Sequence, residues 1–591
     1  MLNSFKDLKI KSNDLMDWAV SFVTEKQLYD EDLWEKFVSV FKTHEDTDLG
    51  RWRGEYFGKQ MRGAALTYAY TKDERLYKIL TKTVKKLLEN QDEYGRFSTY
   101  RIDNEFHGWD MWCRKYVLVG LIYYYGICKD EGLRIEIITA CKRHLDYILE
   151  KVGPNEGQTE ITKTSHWWGC VNSCTILEPT VEIYKLTGEA RYLDFARYII
   201  STGGCSDCNL IELALSDEIY PYQYPVTKAY EMMSFFEGLL AFYEVTGEQK
   251  YFDAVVKFFD AVAKTDVTII GCSGCTHELF DNSSLCQTEF RENIMQETCV
   301  TVTWMRVLRR LFLLTKESKY IDWFEKSMIN ALYGSLNTES LMQLSMERNA
   351  LCEAMAFDSY SPLYMNTRGR GIGGYNEFSS GRYYGCCLAI GACGVALAPL
   401  TAIMQDGEFV YINWLFNGSA EAVLNYGSSV RFIIDGAHPV CGKATVTVSC
   451  EKECRIKLKI RKPEWSKTAR IDGKTFSESG YLVIDKTVSN GDIIEIELEP
   501  TVMIHRLNGK VAFTYGGITL ATDEHKAKRD IKKPLPSCEP EFEILPKDSS
   551  ELIRILCRFE SGDEIILTDY QSCGKKWLSD KPLMTVWFDL E

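Results

Sequence analysis

Four near-copies of one short turn constrain this chain more than any other feature. Thr71-Lys-Asp-Glu-Arg-Leu-Tyr77, Thr187-Gly-Glu-Ala-Arg-Tyr-Leu193, Thr246-Gly-Glu-Gln-Lys-Tyr-Phe252 and Thr315-Lys-Glu-Ser-Lys-Tyr-Ile321 each place an acidic residue two positions after a Thr and an aromatic or aliphatic side chain just beyond. Lys129-Asp-Glu-Gly-Leu133 is a fainter copy. Apolar residues around the copies recur at spacings of three and four, as in Leu80, Val84, Leu87 and Leu88, which predicts amphipathic helices up to about residue 340. The copies lie roughly 55 to 70 residues apart, the length of two helices and their loops. Five or six helical hairpins closing on themselves make an (α/α)6 barrel; an open solenoid needs the same repeat. The closed barrel is the favoured reading, because aromatic and polar clusters fall between the copies.

Near residue 400 the texture changes. Thr445–Ser449, Arg455–Ile460 and Ile493–Leu498 alternate with period two, and Gly and Asp turns separate them. This predicts half-buried strands of a β-sandwich. A second sheet-like block begins near Val511, with His525 to Glu541 as a linker. The expected organisation is multidomain α+β: an (α/α)6-barrel catalytic domain over 1–400, a β-sandwich domain over 401–510, and a C-terminal β-sandwich or second sheet over 511–591.

Charge narrows the function. The net charge is -15 and the basic residues are scattered, so no nucleic acid or anionic membrane is expected as partner. The Lys526 to Lys533 stretch reads as a solvated loop. No signal-peptide run and no run of 18 apolar residues is found, which predicts a cytoplasmic protein without a membrane span. Its 21 Cys are then read as thiols in a reducing compartment, mostly small core residues, with a few available for metal or catalysis.

Three motifs carry candidate chemistry. Cys386-Cys387 follows Tyr383-Tyr-Gly; with this many Cys a chance vicinal pair is unremarkable. Glu297-Thr-Cys299 precedes an amphipathic stretch, where Thr298 is a candidate helix cap. Gly274-Cys-Thr-His-Glu-Leu-Phe280 puts His277 and Glu278 on a Gly-rich turn. Cys299, Cys386, Cys387 and Glu297 form a plausible four-coordinate Zn2+ set, and a thiolate ionised there is also a nucleophile. Cys272-Ser-Gly-Cys275 and Cys205-Ser-Asp-Cys208 are rival ligand pairs, and spacing alone does not choose among them. A fourth cluster is suited to a sugar: Trp109, Asp110, Arg114 and Lys115 in one repeat, His166 and Trp167 in the next, Tyr230 and Glu231 in a third. Aromatic faces stack on sugar rings, while charged and imidazole groups bond hydroxyls.

These residues together resemble glycoside hydrolase family 127, the β-L-arabinofuranosidase family and its relatives. The resemblance starts near Trp52-Arg-Gly-Glu-Tyr-Phe-Gly-Lys59, continues through Gln91-Asp-Glu-Tyr-Gly, and includes Val511-Ala-Phe-Thr-Tyr-Gly-Gly517. It implies Glu278 as general acid/base, Glu297, Cys299, Cys386 and Cys387 as zinc ligands, and Cys386 as nucleophile. The mechanism implied is retaining, through a thioglycosyl intermediate in place of the usual carboxylate adduct. Family members acting on arabinofuranose grip the sugar with several His residues, and by register Tyr116, Ser173 and Lys228 stand there instead. The pocket is therefore expected to be rebuilt, and Arg114, Lys115 and Lys228 are candidates for receiving an acidic sugar. The expected activity is a zinc-dependent retaining exo-glycosidase acting on a β-L-arabinofuranoside or another plant-glycan sugar. Alternatives are a polysaccharide lyase or sugar epimerase on the same barrel, and a non-catalytic zinc-stabilised carbohydrate-binding protein. The expected partner is a small glycoside or oligosaccharide, with a homodimer possible through the sandwich domains.

Overall fold

The computed structural model describes residues 5–6, 8–46, 51–274, 276, 278–290, 296–344, 351–369, 375–378, 382–424, 429–440, 442–575 and 581–591. A helix-rich part is followed by a β-rich part. Twelve helices of the first part alternate in two layers. The outer layer holds α1 (Glu31–Thr43), α3 (Glu74–Glu89), α5 (Glu131–Lys151), α7 (Ala190–Ser201), α9 (Gln249–Thr265) and α11 (Ser318–Lys326). The inner layer holds α2 (Gly54–Thr71), α4 (Asp110–Ile127), α6 (Leu177–Thr187), α8 (Ala229–Thr246), α10 (Thr298–Thr315) and α12 (Cys386–Ala402). Each inner helix packs on the next in chain order, and α12 packs back on α2, so the six close in a ring.

The two layers differ as their sequences dictate. Outer α3 buries one stripe, Leu76, Ile79, Leu80, Thr83, Val84 and Leu87, and gives its other face to water. Inner α2 is buried on nearly every side, Glu55, Lys59, Gln60 and Arg62 included. Polar groups so enclosed must find partners within the ring.

The repeated turn joins each inner helix to the next outer one. After Thr71, Thr187, Thr246 and Thr315 comes a left-handed residue, Lys72, Gly188, Gly247 or Lys316. The Thr hydroxyl donates to the carbonyl four residues back and accepts the N–H of Asp73, Glu189, Glu248 or Glu317. Asp73 then caps α3 by accepting from Arg75 and Leu76. All four turns lie at the C-terminal end of the inner helices, so the opposite rim is left to the irregular segments that carry the polar motifs.

The β-rich part contains a five-stranded, a seven-stranded and an eight-stranded sheet. Lys443–Cys450 and Ile493–Leu498 pair in the seven-stranded sheet, while Cys454–Lys462 lies in the five-stranded one. Ser429–Asp435 alternates exposed and buried along its length, the period-two pattern of a sheet with one wet face. Two details of chain economy differ from the sequence boundaries. The N-terminal strands Phe5–Lys6 and Lys9–Ser12 pair with Gln405–Asp406 and Gly418–Glu421, so the chain begins in the β-rich part before entering the helices. The eight-stranded sheet starts at Val502, ahead of Val511. Arg368 locks the last sheet to the helices, donating to Gly334 O at 2.7 Å and Tyr570 O at 2.6 Å.

Candidate active site and metal centre

Two helix N-termini meet at one rim of the ring. Glu297 is the N-cap of α10 and Cys299 lies in its first turn. Cys386 and Cys387 open α12 behind Gly385. Unpaired N–H groups and the helix dipole favour negative charge at such termini, so thiolates and a carboxylate are stabilised there. Local contacts fix both termini. Strand Gln296–Glu297 pairs with Tyr360–Ser361. Thr298 donates its hydroxyl to Asp358 O at 2.7 Å, which anchors the strand; Thr298 is the first helical residue and not the cap, and Glu297 at the N-cap position makes no side-chain capping bond. Gln27 ties the start of α12 to α2, donating to Leu388 O and to Gln60 Oε1 at 2.8 and 2.9 Å.

The ligand atoms of Glu297, Cys299, Cys386 and Cys387 lie within 4.8 Å of one another, the one such group among the described residues that could hold a metal ion. Cys386 Sγ and Cys387 Sγ are 3.9 Å apart, and Cys387 Sγ is 3.3 Å from Glu297 Oε1. A tetrahedral ion with metal–sulfur bonds of about 2.3 Å needs ligand separations of about 3.8 Å. Glu297 Oε2 is buried with no hydrogen-bond partner among the described residues. Burial, with Glu278 and Cys386 nearby, pushes the Glu297 carboxyl well above its usual range. Hydrogen bonds from Cys299 and Cys387 pull the Cys386 thiol well below its ordinary value, against burial and with help from Lys59 and Lys228. Burial pushes Cys299 and Cys387 up. Three thiols and a carboxyl converging at this spacing could hold a metal ion.

Glu278 faces this set from the 274–280 turn. It adopts φ +66°, a conformation a non-Gly residue holds only when its surroundings impose it. Ala229 N donates to Glu278 O at 3.1 Å, and Phe280 N donates to Thr227 O at 2.8 Å, so the turn is strapped to the start of α8. Lys228 Nζ donates to Glu278 Oε2, and Tyr360 OH donates to Oε1 at 2.8 Å. Tyr360 thus links Glu278 to the strand that carries Glu297. Glu231, one turn into α8, is raised to about 7 by burial, partly offset by Lys228.

A third layer lies beneath. Lys59 Nζ is 3.2 Å from Glu55 Oε1 and 3.8 Å from Cys299 Sγ, and stands 4.4 Å from the centre of the Tyr230 ring. Burial opposes its charge, but Cys299 and Glu55 outweigh that and raise its pKa. Glu55, raised to about 7 by burial, accepts from Trp112 Nε1. Tyr116 and Tyr230 share a hydroxyl hydrogen bond.

The other sugar-binding candidates divide. Trp109 stacks on Trp167 with ring centres 6.4 Å apart, and His166 packs on Trp167 at 4.7 Å, so these form one aromatic wall. Trp168, 37 % exposed, extends it over Lys228, whose Nζ is 5.4 Å from the ring centre. Asp110 and Arg114 face away, between the two helical layers. Asp110 accepts from Ser98 at 2.6 Å, Phe106 N at 2.8 Å and Arg114 at 2.9 Å. Arg114 also binds Glu105 at 2.8 Å. Lys115 points to the opposite end of the ring, 3.8 Å from Glu178, and is lowered to about 7 by burial despite that carboxylate. His277, and Cys275 of the Cys272 motif, lie outside the described residues. Lys59, Glu55 and Tyr360 were not singled out from sequence. Lys59 ends the Trp52–Lys59 motif, which marked a resemblance without marking a position.

At the far end the same inner helices enclose a pocket of about 490 Å³ lined by Glu178, Glu237, Glu244, Arg306 and Arg310. Arg62 binds Glu178 at 2.7 Å, Arg306 bridges Glu178 and Glu237, and Arg310 binds Glu244 at 2.6 Å.

A helix ring thus brings a cysteine-rich cluster that could hold a metal ion beside a carboxyl and an aromatic wall. The family description of the β-L-arabinofuranosidase GH127 catalytic domain matches residues 19–346, and that of the GH127 middle domain matches 410–500. The chain belongs to the GH127 β-L-arabinofuranosidase family and is a glycoside hydrolase of that family. It is 20 % identical, over 80 % of its length and 74 % of the relative's, to a non-reducing end β-L-arabinofuranosidase of Bifidobacterium longum. Its fold matches a GH127 β-arabinofuranosidase with TM-score 0.76 at 17 % identity, covering 100 % of this chain and 98 % of that one. A GH127 β-L-arabinofuranosidase from Geobacillus stearothermophilus T6 superposes with TM-score 0.73 at 17 % identity, covering 99 % and 100 %. No described helix is long and apolar enough to cross a membrane.

Proposed function

We propose that this protein is a zinc-dependent retaining exo-glycosidase in which Cys386 is the nucleophile and Glu278 the general acid/base, acting on a β-L-arabinofuranoside or a related plant-glycan sugar. The closed helical ring is read as an (α/α)6 barrel, and the sheets that follow as β-sandwich domains. One observation carries the reading: Glu297, Cys299, Cys386 and Cys387 converge from two helix N-termini beside Glu278.

Three thiolates and a carboxylate at tetrahedral spacing suit zinc over harder, oxygen-seeking cations. When bound, zinc would hold the thiols ionised and fix the direction of Cys386 Sγ. The chain's own residues do the rest. Cys386 thiolate attacks the anomeric carbon, and the glycosidic bond breaks as a carbon–sulfur bond forms. The leaving oxygen takes a proton from Glu278, whose Oε2 is held by Lys228 Nζ. Water then gives a proton back to the Glu278 carboxylate and attacks the same carbon, and Cys386 leaves as thiolate. Tyr360 holds Glu278 in line. The wall of Trp109, Trp167 and Trp168 offers the sugar an apolar face. Tyr116 and Lys228, in place of imidazoles, leave fewer neutral acceptors for hydroxyls, which supports a pocket altered within the family. Asp110 and Arg114 belong to the scaffold in this reading.

The test is a trap. Glu278→Gln, supplied with an aryl β-L-arabinofuranoside whose leaving group needs no acid, should accumulate one arabinosyl unit on the Cys386 peptide by mass spectrometry. Cys386→Ala should show neither adduct nor turnover. Full turnover in Cys386→Ala would end the proposal.

A further inference from the structure

Cys205-Ser-Asp-Cys208, which the reaction leaves unused, lies against the wall of the same site. The wall turn is unusual. Trp168, Gly169 and Cys170 are all left-handed, with φ of 52°, 58° and 62°. Two of the three carry side chains that disfavour this conformation, so the turn keeps its shape only because neighbours impose it. The Cys205 loop is the neighbour. Ser206 N donates to Gly169 O at 2.8 Å. A Cβ placed on Gly169 would stand 2.5 Å from Cys205 Sγ and 3.0 Å from an Asp207 carboxylate oxygen, so both side chains pack directly against the Gly169 backbone. On the other side of the turn, Trp168 covers Lys228, the partner of Glu278.

The thiols themselves are paired. Cys208 donates to Cys205, and Asp207 N points at Cys205 Sγ at 3.4 Å. These donors draw Cys205 down to about 7 against its burial. Cys205 is 4 % exposed and Cys208 is half-buried, so one sulfur is reachable and the other waits behind it. Among the described residues neither belongs to a group with metal-holding geometry, which turns the motif away from metal and toward thiol–disulfide exchange.

We propose that Cys205 and Cys208 form a reversible disulfide that releases the brace on the Trp168–Cys170 turn. Cys208 attacks a low-molecular-weight disulfide as its thiol proton passes to the Cys205 thiolate to which it is hydrogen-bonded, and displaces one thiolate. Cys205 thiolate then attacks Cys208 Sγ and displaces the second. Two protein thiols are oxidised, the small disulfide is reduced to two thiols, and the thiol protons go to solvent. Drawing Cys205 toward Cys208 takes its sulfur off Gly169 and moves Ser206 N, and the strained turn relaxes. The effect on turnover rests on the proposed role of Glu278; the disulfide and the loosening of the turn do not.

The full-length protein is equilibrated in glutathione buffers from fully reduced to fully oxidised, then mapped by peptide mass and by hydrogen exchange. The expected result is a Cys205–Cys208 disulfide that forms and reverses. With it, exchange over residues 164–171 should be about fivefold faster, the factor for losing one hydrogen bond. Cys205→Ser and Cys208→Ser should each abolish the disulfide and the redox response of that exchange, while Cys386→Ala should keep both. No disulfide in the most oxidising buffer, a link from Cys205 to Cys170 instead, or a disulfide with unchanged exchange would each overturn the proposal. If the disulfide and exchange change appear but turnover of the aryl glycoside does not respond, the role given to Glu278 is at fault and the switch stands.

Discussion

The two ends of the inner helix ring use the same residue types to opposite effect. At the rim where the helices begin, carboxyls are pushed up: Glu55 and Glu231 to about 7, and Glu297 well above its usual range, in each case chiefly by burial. In the second cluster burial also pushes Glu178 and Glu244 up, yet Arg62 and Arg306 hold Glu178, and Arg310 holds Glu244, at about 2. The difference lies in what completes the charge. The far end completes itself with guanidinium groups, which suit bidentate pairing with carboxylates. The near end presents acids and thiols to helix N-termini and leaves Glu297 Oε2 and Glu231 Oε2 without a hydrogen-bond partner among the described residues. The far end pairs its acids with arginines, although Glu178 Oε2 too is without a hydrogen-bond partner among the described residues; the near end sets its acids against Lys59, Lys228 and the thiols.

The sharpest break is Cys386→Ala. Removing the proposed nucleophile should lower kcat by about 10⁴-fold or more while the thermal midpoint moves little, because the loss falls on the reaction and not on the brace. Steady-state rates on an aryl β-L-arabinofuranoside beside a melting curve would decide it. Next is the brace itself. Glu178→Gln leaves Arg62 and Arg306 facing a neutral group in a buried site, and should destabilise by about 3–5 kcal/mol with metal content unchanged. Urea midpoints and elemental analysis on one sample test both halves; loss of metal in this variant would show that the ends are not independent.

A third prediction uses pH. Glu231 has its folded value raised from 4.5 to about 7, so between those values the folded chain binds a proton that the unfolded chain has lost. Its contribution to stability is complete below about 4.5 and is lost as pH rises through 7, a change of about 3 kcal/mol. Glu231→Gln cannot ionise and should lack this fall, so it gains on wild type as pH rises from about 5 to 8. A parallel decline in both proteins would mean that Glu231 is ionised throughout. The smallest effect belongs outside the ring. Lys82→Ala breaks an exposed pair with Glu31, 2.6 Å long, and should leave the urea midpoint indistinguishable from wild type, because solvent screens the pair.

Much of this was legible in the chain, and the reasons are local. The Thr-x-acid turns were visible because each is a self-contained hydrogen-bonded unit. The thiol and carboxylate motifs were visible because each sits on a helix terminus a few residues long. The assignment of Asp110 and Arg114 to a sugar pocket shows where that legibility stops. They stand one helical turn apart and bond each other, but a helix buried on all sides has no face that sequence can orient. Lys59 and Tyr360 were missed for the related reason that their neighbours, Cys299 and Glu278, are far away in the chain. Cys205-x-x-Cys208 stood as a rival ligand pair until the fold placed it against Gly169 and away from any third ligand.

By itself the sequence determined the alternation of helices, the change to strands near residue 400, and the inventory of groups available for chemistry, because propensity, periodicity and turn chemistry act over a few residues. Only the tertiary structure decided which of those groups meet. Ring closure brought α12 back against α2, set two helix N-termini side by side, and separated the acids that guanidinium groups pair from the acids and thiols gathered at those N-termini. Pairing across hundreds of residues depends on packing, and no local pattern encodes it.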